Sequence, residues 1–224
     1  MERHFEAELE HIREELLRMS GLVEGMIGEA IAALKERDSR LAEDVIRRDA
    51  EVDRLENQIK GACQTLIVLQ QPMAGDLRFL IAVLQITNDL ERMGDCAGNI
   101  GEAVLQLNRE APLTTSVDLD GLSRETRTMV RRCLDAFVAR DAQLAVEIWR
   151  SDDTVDELYS DIFNELVEVM ANDETAARRA LQLVLIARYL ERIADHASNI
   201  CEDVVYYVTG KEIRHARTRY EPAS

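Results

Sequence analysis

The chain has 224 residues, 46% of them hydrophobic, with three prolines and 4% aromatic content. Length, apolar content and few prolines suffice for one large or two small helical cores and argue against a disordered chain, and the dominance of Ala, Leu, Glu and Arg favours an all-α fold over a sandwich or barrel. Its 27 Lys and Arg stand against 43 Asp and Glu, a formal charge of -16 that repels phosphate backbones and anionic headgroups and argues against nucleic acid as a partner.

Cys63, Cys96, Cys133 and Cys201 form no Cys-x-x-Cys pair, and no signal-like leader precedes the first acidic residues. The longest apolar stretch, Phe79 to Ile86, is far short of the ~20 residues that span a bilayer. The expectation is a cytoplasmic protein with no membrane-inserted segment.

In chain order, helical periodicity and two candidate N-caps, Asp38 and Asp141, predict helices over 4–36, 39–70 and 74–109, then 119–140, 142–171 and 174–209. The first helix carries Gly21, Gly25 and Gly28, a spacing that would allow close helix approach. The second ends at a turn around Pro72. The third has one apolar stripe, Ile86, Leu90, Met93, Ala97, Ile100 and Val104, which is core. Pro112, Thr114, Thr115 and Ser116 mark a linker over 110–118, and the last predicted helix repeats the stripe as Ile186, Leu190, Ile193, Ala197, Ile200 and Val204. The fold expected is two pseudo-symmetric three-helix bundles, 1–109 and 119–210, with a tail over 211–224.

The division reflects an internal repeat. Leu90-Glu91-Arg92-Met93-Gly94-Asp95 returns one hundred residues later as Leu190-Glu191-Arg192-Ile193-Ala194-Asp195. The middle helices match at an offset of 103, with Asp49, Val52, Asp53, Leu55 and Ile59 returning as Asp152, Val155, Asp156, Leu158 and Ile162. A repeat kept only for packing would preserve its apolar positions and let the polar ones drift, so shared Glu, Arg, Asp and Asn point to joint chemistry.

Glu91, Asp95 and Glu102 lie within about 40° of one another on a helix, and Glu191, Asp195 and Glu202 repeat the arrangement. In an antiparallel hairpin, positions equidistant from the turn are neighbours. Asp53 then faces Glu91 and Asp49 faces Asp95; in the second bundle Asp156 faces Glu191 and Asp152 faces Asp195. Four carboxylates crowded across two helices repel one another, and oxygen donors of this kind suit Mg²⁺, Mn²⁺, Ca²⁺ or iron. A single Glu-x-x-x-Asp is ordinarily a solvated face, and Arg92, Arg192 and Arg48 could neutralise the acids without any ion.

His196 reads as structural or as a support to the metal-holding acids, since its counterpart is Cys96 and adjacent residues on a helix point about 100° apart. No nucleophile with spaced His and acid, no phosphate-binding glycine loop and no zinc spacing occurs, so no catalytic residue is assigned. A di-metal carboxylate oxidase would need Glu-x-x-His motifs, but Gly94 and Ala194 stand three residues after Glu91 and Glu191.

The run Gln70-Gln71-Pro72-Met73-Ala74-Gly75-Asp76-Leu77-Arg78-Phe79, the following Asp89 to Asp95, an opening Arg3-His4-Phe5 and a closing Gly210-Lys211-Glu212-Ile213-Arg214-His215 resemble the PhoU family. That resemblance implies two three-helix bundles, each with a surface metal cluster. Asp49, Asp53, Glu91 and Asp95 would hold one, and Asp152, Asp156, Glu191 and Asp195 the other, with iron or zinc as the metal. It also implies a non-enzymatic negative regulator of phosphate uptake and of the phosphate-starvation response. Such a regulator would link a phosphate ABC transporter, through its ATPase subunit, to a membrane sensor histidine kinase, and the expected assembly is a homodimer.

Overall fold

The computed structural model describes residues 2–113 and 117–213, with side chains from residue 4 onward. Thr114, Thr115 and Ser116 of the predicted linker, and residues 214–224 of the predicted tail, Arg214 and His215 among them, lie outside the described residues. So does the side chain of Arg3.

Seven helices are described: α1 Glu2–Glu36, α2 Ser39–Gln70, α3 Ala74–Asn108, α4 Leu119–Ala139, α5 Ala142–Arg150, α6 Asp152–Asn172 and α7 Ala177–Thr209. The all-α expectation holds, and there is no strand among the described residues. The helix predicted over 142–171 is divided at Ser151 into α5 and α6. The Ser151 amide donates to the Ile148 carbonyl at 2.9 Å, its hydroxyl donates to the same oxygen at 2.7 Å, and it is followed by two acids in the first turn of α6. A serine that back-bonds three residues earlier tightens one turn, and Asp152 and Asp153 suit a new helix N-terminus. The last helix begins at Ala177 rather than 174, because the Asp173 carboxylate accepts from the Thr175 amide and hydroxyl and holds a turn ahead of it.

Both predicted caps form. Asp38 Oδ1 accepts from the Arg40 and Leu41 amides and Asp141 Oδ1 from those of Gln143 and Leu144. The corners before them are copies. Arg37 and Arg140 both adopt left-handed backbone, φ 53° and 54°, and the Asp38 and Asp141 amides donate back to Ala33 and Ala136 at 3.0 and 2.9 Å, the six-to-one bond of a Schellman motif. Each corner then docks on the last turn of its bundle's long helix. Arg37 Nη2 donates to the carbonyls of Leu107 and Glu110, while the Arg140 guanidinium lies 5.5 Å from the centroid of the Tyr207 ring.

The two predicted apolar stripes are buried throughout. α3 and α7 bury more than one stripe each, because they also form the most extensive helix contact in the molecule, across the two repeats. The glycine series departs from expectation. Gly21 and Gly25 have nothing within 4 Å of where a Cβ would sit, and Gly28 meets only the Arg127 guanidinium, at 3.5 Å. Gly28 alone of the three therefore faces α4, and the series makes no close helix crossing.

Candidate metal centres

The register of α2 on α3 is set by their facing core. A Cβ added at Gly94 would lie 3.2 Å from Val52 Cγ1, and one at Gly101 would lie 3.0 Å from the Ala42 carbonyl oxygen. With this register the first quartet comes together as one electrostatic group. Asp49 is pushed above its ordinary range by burial and then by the negative charges of Asp95 and Asp53. Glu91 is also raised, by burial and by Asp95, with Glu56 and Asp53 adding to the effect and Arg92 opposing it. Asp53 is exposed; Asp49, Glu91 and Asp95 are half-buried.

The second quartet is deeper. Asp152 is 2% and Glu191 8% exposed, whereas Asp156 and Asp195 are at the surface. Burial, then Asp195, Asp156 and Asp152, push the Glu191 carboxyl up to about 7, with Arg188 opposing. The break at Ser151 places Asp152 at the first residue of α6, where a helix N-terminus favours negative charge.

Cations of the chain itself reach both groups. Arg92 lies 3.3 Å from Glu91 and 3.1 Å from Asp95. In the second bundle the guanidinium on Glu191 is that of Arg188, at 2.5 Å, and not Arg192 as the sequence suggests. Residues three apart share a helix face, which lets Arg188 reach Glu191. Arg48 pairs with Glu29 on α1 at 2.8 Å, away from its neighbour Asp49. Three buried carboxylate oxygens, Asp49 Oδ1, Glu91 Oε2 and Glu191 Oε2, accept no hydrogen bond. Among the described residues, no three His, Cys, Asp or Glu side chains are already drawn into a metal cage.

Sequence reasoning missed Asp89. This α3 residue, 7% exposed, accepts from His196 Nδ1 at 2.8 Å and from Asn199 Nδ2 at 3.2 Å, both on α7. Of the two roles expected for His196 this contact is the structural one, and it bridges the repeats. The available signal was a coincidence of departures, since Asp89 and His196 replace Tyr189 and Cys96 of the other copy. Beside this bridge, Trp149, Asp152, Arg188, Asp195, His196 and Glu202 line an open cleft of about 380 Å³, with Trp149 Nε1 donating to Glu202 at 3.2 Å. The four cysteines are buried and free, and burial pushes the Cys63 and Cys96 thiols up to about 12 and about 11, values that keep them unreactive.

With this geometry in place, comparison with known proteins is direct. The model of the PhoU domain matches twice, over residues 16–104 and 119–204, one match for each repeat. A Clostridium acetobutylicum protein named phosphate-specific transport system accessory protein PhoU homolog is 37% identical over 210 residues, covering 93% of this chain and 96% of its own. The Escherichia coli K12 phosphate-specific transport system accessory protein PhoU is 38% identical over 211 residues, covering 94% and 88%. The crystal structure of PhoU from Pseudomonas aeruginosa superposes with a TM-score of 0.90 at 39% identity over 92% of this chain and all of that one. The phosphate transport system regulatory protein PhoU from Streptococcus pneumoniae gives 0.87 at 32% identity, covering 93% and 98%. The duplicated helical fold and these matches along nearly the whole chain place it in the PhoU family.

Proposed function

We propose that the chain is a non-enzymatic regulator of phosphate uptake, acting in the cytoplasm as an adaptor between a phosphate ABC transporter and a sensor histidine kinase. The observation that carries this reading is the match of both repeats to one family whose relatives are named as phosphate transport accessory proteins. No helix among the described residues is long and apolar enough to cross a membrane, so contact with a transporter would fall to its ATPase subunit and contact with the kinase to its cytoplasmic part. A homodimer is the assembly we expect to present the helix faces. The test is deletion with complementation. Loss of the chain should derepress phosphate-starvation signalling under plentiful phosphate, and the ATPase subunit and the kinase should co-purify with tagged protein. Unchanged signalling with neither partner recovered would refute the reading.

We further propose that Asp49, Asp53, Glu91 and Asp95, and separately Asp152, Asp156, Glu191 and Asp195, hold metal ions. Three buried oxygens without a hydrogen bond support the fit, as do the burial and mutual repulsion that together raise Asp49, Glu91 and Glu191. An all-carboxylate donor set suits iron better than zinc, which favours nitrogen and sulfur. A bound ion would replace repulsion with attraction and lock α2 to α3 and α6 to α7; Arg92 and Arg188 would swing aside. The rival, a metal-free scaffold, draws support from those same two guanidiniums. Under it they are permanent counterions.

A further inference from the structure

We infer that the seam between α1 and α4 is a binding groove for a small polyanion carrying two or more phosphoryl groups. The two helices run antiparallel there. Lys35 pairs with Asp120 at 2.8 Å, and the Cβ position of Gly28 lies 3.5 Å from Arg127 Nη2; the same register sets Glu24 opposite Arg131. Between them is an open groove of about 320 Å³ whose lining includes Lys35, Arg124, Arg127 and Arg131 against two carboxylates, Glu24 and Asp120. Four cations gathered in one groove contrast with a chain of net charge -16.

The two repeats differ in chemistry along this groove. At the offset of 103 that relates the first helix of each bundle, burial matches position by position: Val23 with Thr126, Met26 with Met129, Ile27 with Val130 and Ala30 with Cys133 are all buried. The less buried positions beside them do not match. Gly21, Glu24, Gly25 and Gly28 on α1 correspond to Arg124, Arg127, Thr128 and Arg131 on α4. Where α1 has three glycines and a glutamate, α4 carries three arginines and a threonine, and those four line the groove.

Those guanidiniums are not consumed by the fold. Lys35 is neutralised by Asp120, and Arg124 lies 3.6 Å from Glu125. Arg127 and Arg131 make no ion pair or hydrogen bond with a described residue. A guanidinium offers planar paired donors that match phosphoryl oxygens. Arg124 and Arg131 are seven residues apart, roughly 10 Å along the helix, which is more than one isolated oxyanion engages and suits anionic groups in tandem. The groove's volume admits a small molecule and not a folded domain.

Calorimetric titration with pyrophosphate, orthophosphate and a hexaglutamate peptide, on EDTA-treated full-length protein at constant ionic strength, tests this. Pyrophosphate should bind saturably at one per chain, and orthophosphate at least tenfold more weakly. The pair Arg127→Gln/Arg131→Gln should weaken pyrophosphate at least tenfold. Gly28→Leu should do the same by filling the groove without altering charge, while Arg47→Gln, on α2, should change nothing. Thermal unfolding of each variant verifies the fold. Absence of saturable pyrophosphate binding, binding indifferent to both groove variants, or preference for hexaglutamate would each overturn the proposal, the last by making the seam a docking site for acidic protein.

Discussion

Glu191 carries the largest resolved carboxylate shift of the two quartets, and its sign yields a prediction. A carboxyl pushed up to about 7 from 4.5 keeps its proton in the folded chain across a pH window where the unfolded chain has released it. Folded protein then binds more protons, so stability falls as pH rises through that window. Asp49 and Glu91, raised from their ordinary values, act in the same direction. In EDTA, the melting temperature should decline between about pH 4.5 and pH 7, and Glu191→Gln should make the decline shallower. Equal slopes for the two proteins would show that Glu191 is not held in this way. Gly101 gives a second prediction at this scale. Its missing Cβ would lie 3.0 Å from the Ala42 carbonyl oxygen and 3.1 Å from Ile46 Cγ1, so Gly101→Leu should cost about 1–3 kcal/mol by overpacking. Gly61→Ala, with open space on the same hairpin, should gain up to about 1 kcal/mol through helix propensity. Denaturant unfolding measures both.

Among the elements, the duplicated corners are the clearest case of sequence dictating structure. Arg37-Asp38 and Arg140-Asp141 form the same left-handed residue and the same cap, so Asp38→Ala and Asp141→Ala should each cost about 1 kcal/mol. The periodicity of the long helices and the facing of α2 on α3 and of α6 on α7 were legible for similar reasons, because apolar spacing and distance from a turn are local properties. The break between α5 and α6 was not. It has no proline or glycine to announce it, only a serine whose hydroxyl turns back on Ile148. Asp89 was hidden because its partners are on α7, more than one hundred residues away, and only the paired departures from the repeat hinted at it. Asp89→Ala would strand the donors of His196 and Asn199 in the α3–α7 contact. A loss of about 1–3 kcal/mol follows, and chemical unfolding would register it.

At the scale of the whole molecule, one helical unit is used twice and the copies are joined along α3 and α7. Duplication brings four acids together in each half, but in different settings. The first quartet is half-exposed with Arg92 across it, and the second has two nearly buried acids with Arg188 on Glu191. The residues of both quartets could be named from the sequence, and so could Arg92 on the first; that Arg188 and not Arg192 attends Glu191 could not, since that depends on rotamers. The central claim is that each quartet holds metal. The most direct measurement is elemental analysis of protein purified without added metal, comparing wild type with Asp95→Ala, Asp195→Ala and the double variant. Metal in the wild type, a partial loss in each single variant and near-complete loss in the double variant are predicted. Equal metal content in all four proteins, or none in the wild type, would contradict it and leave Arg92 and Arg188 as the counterions.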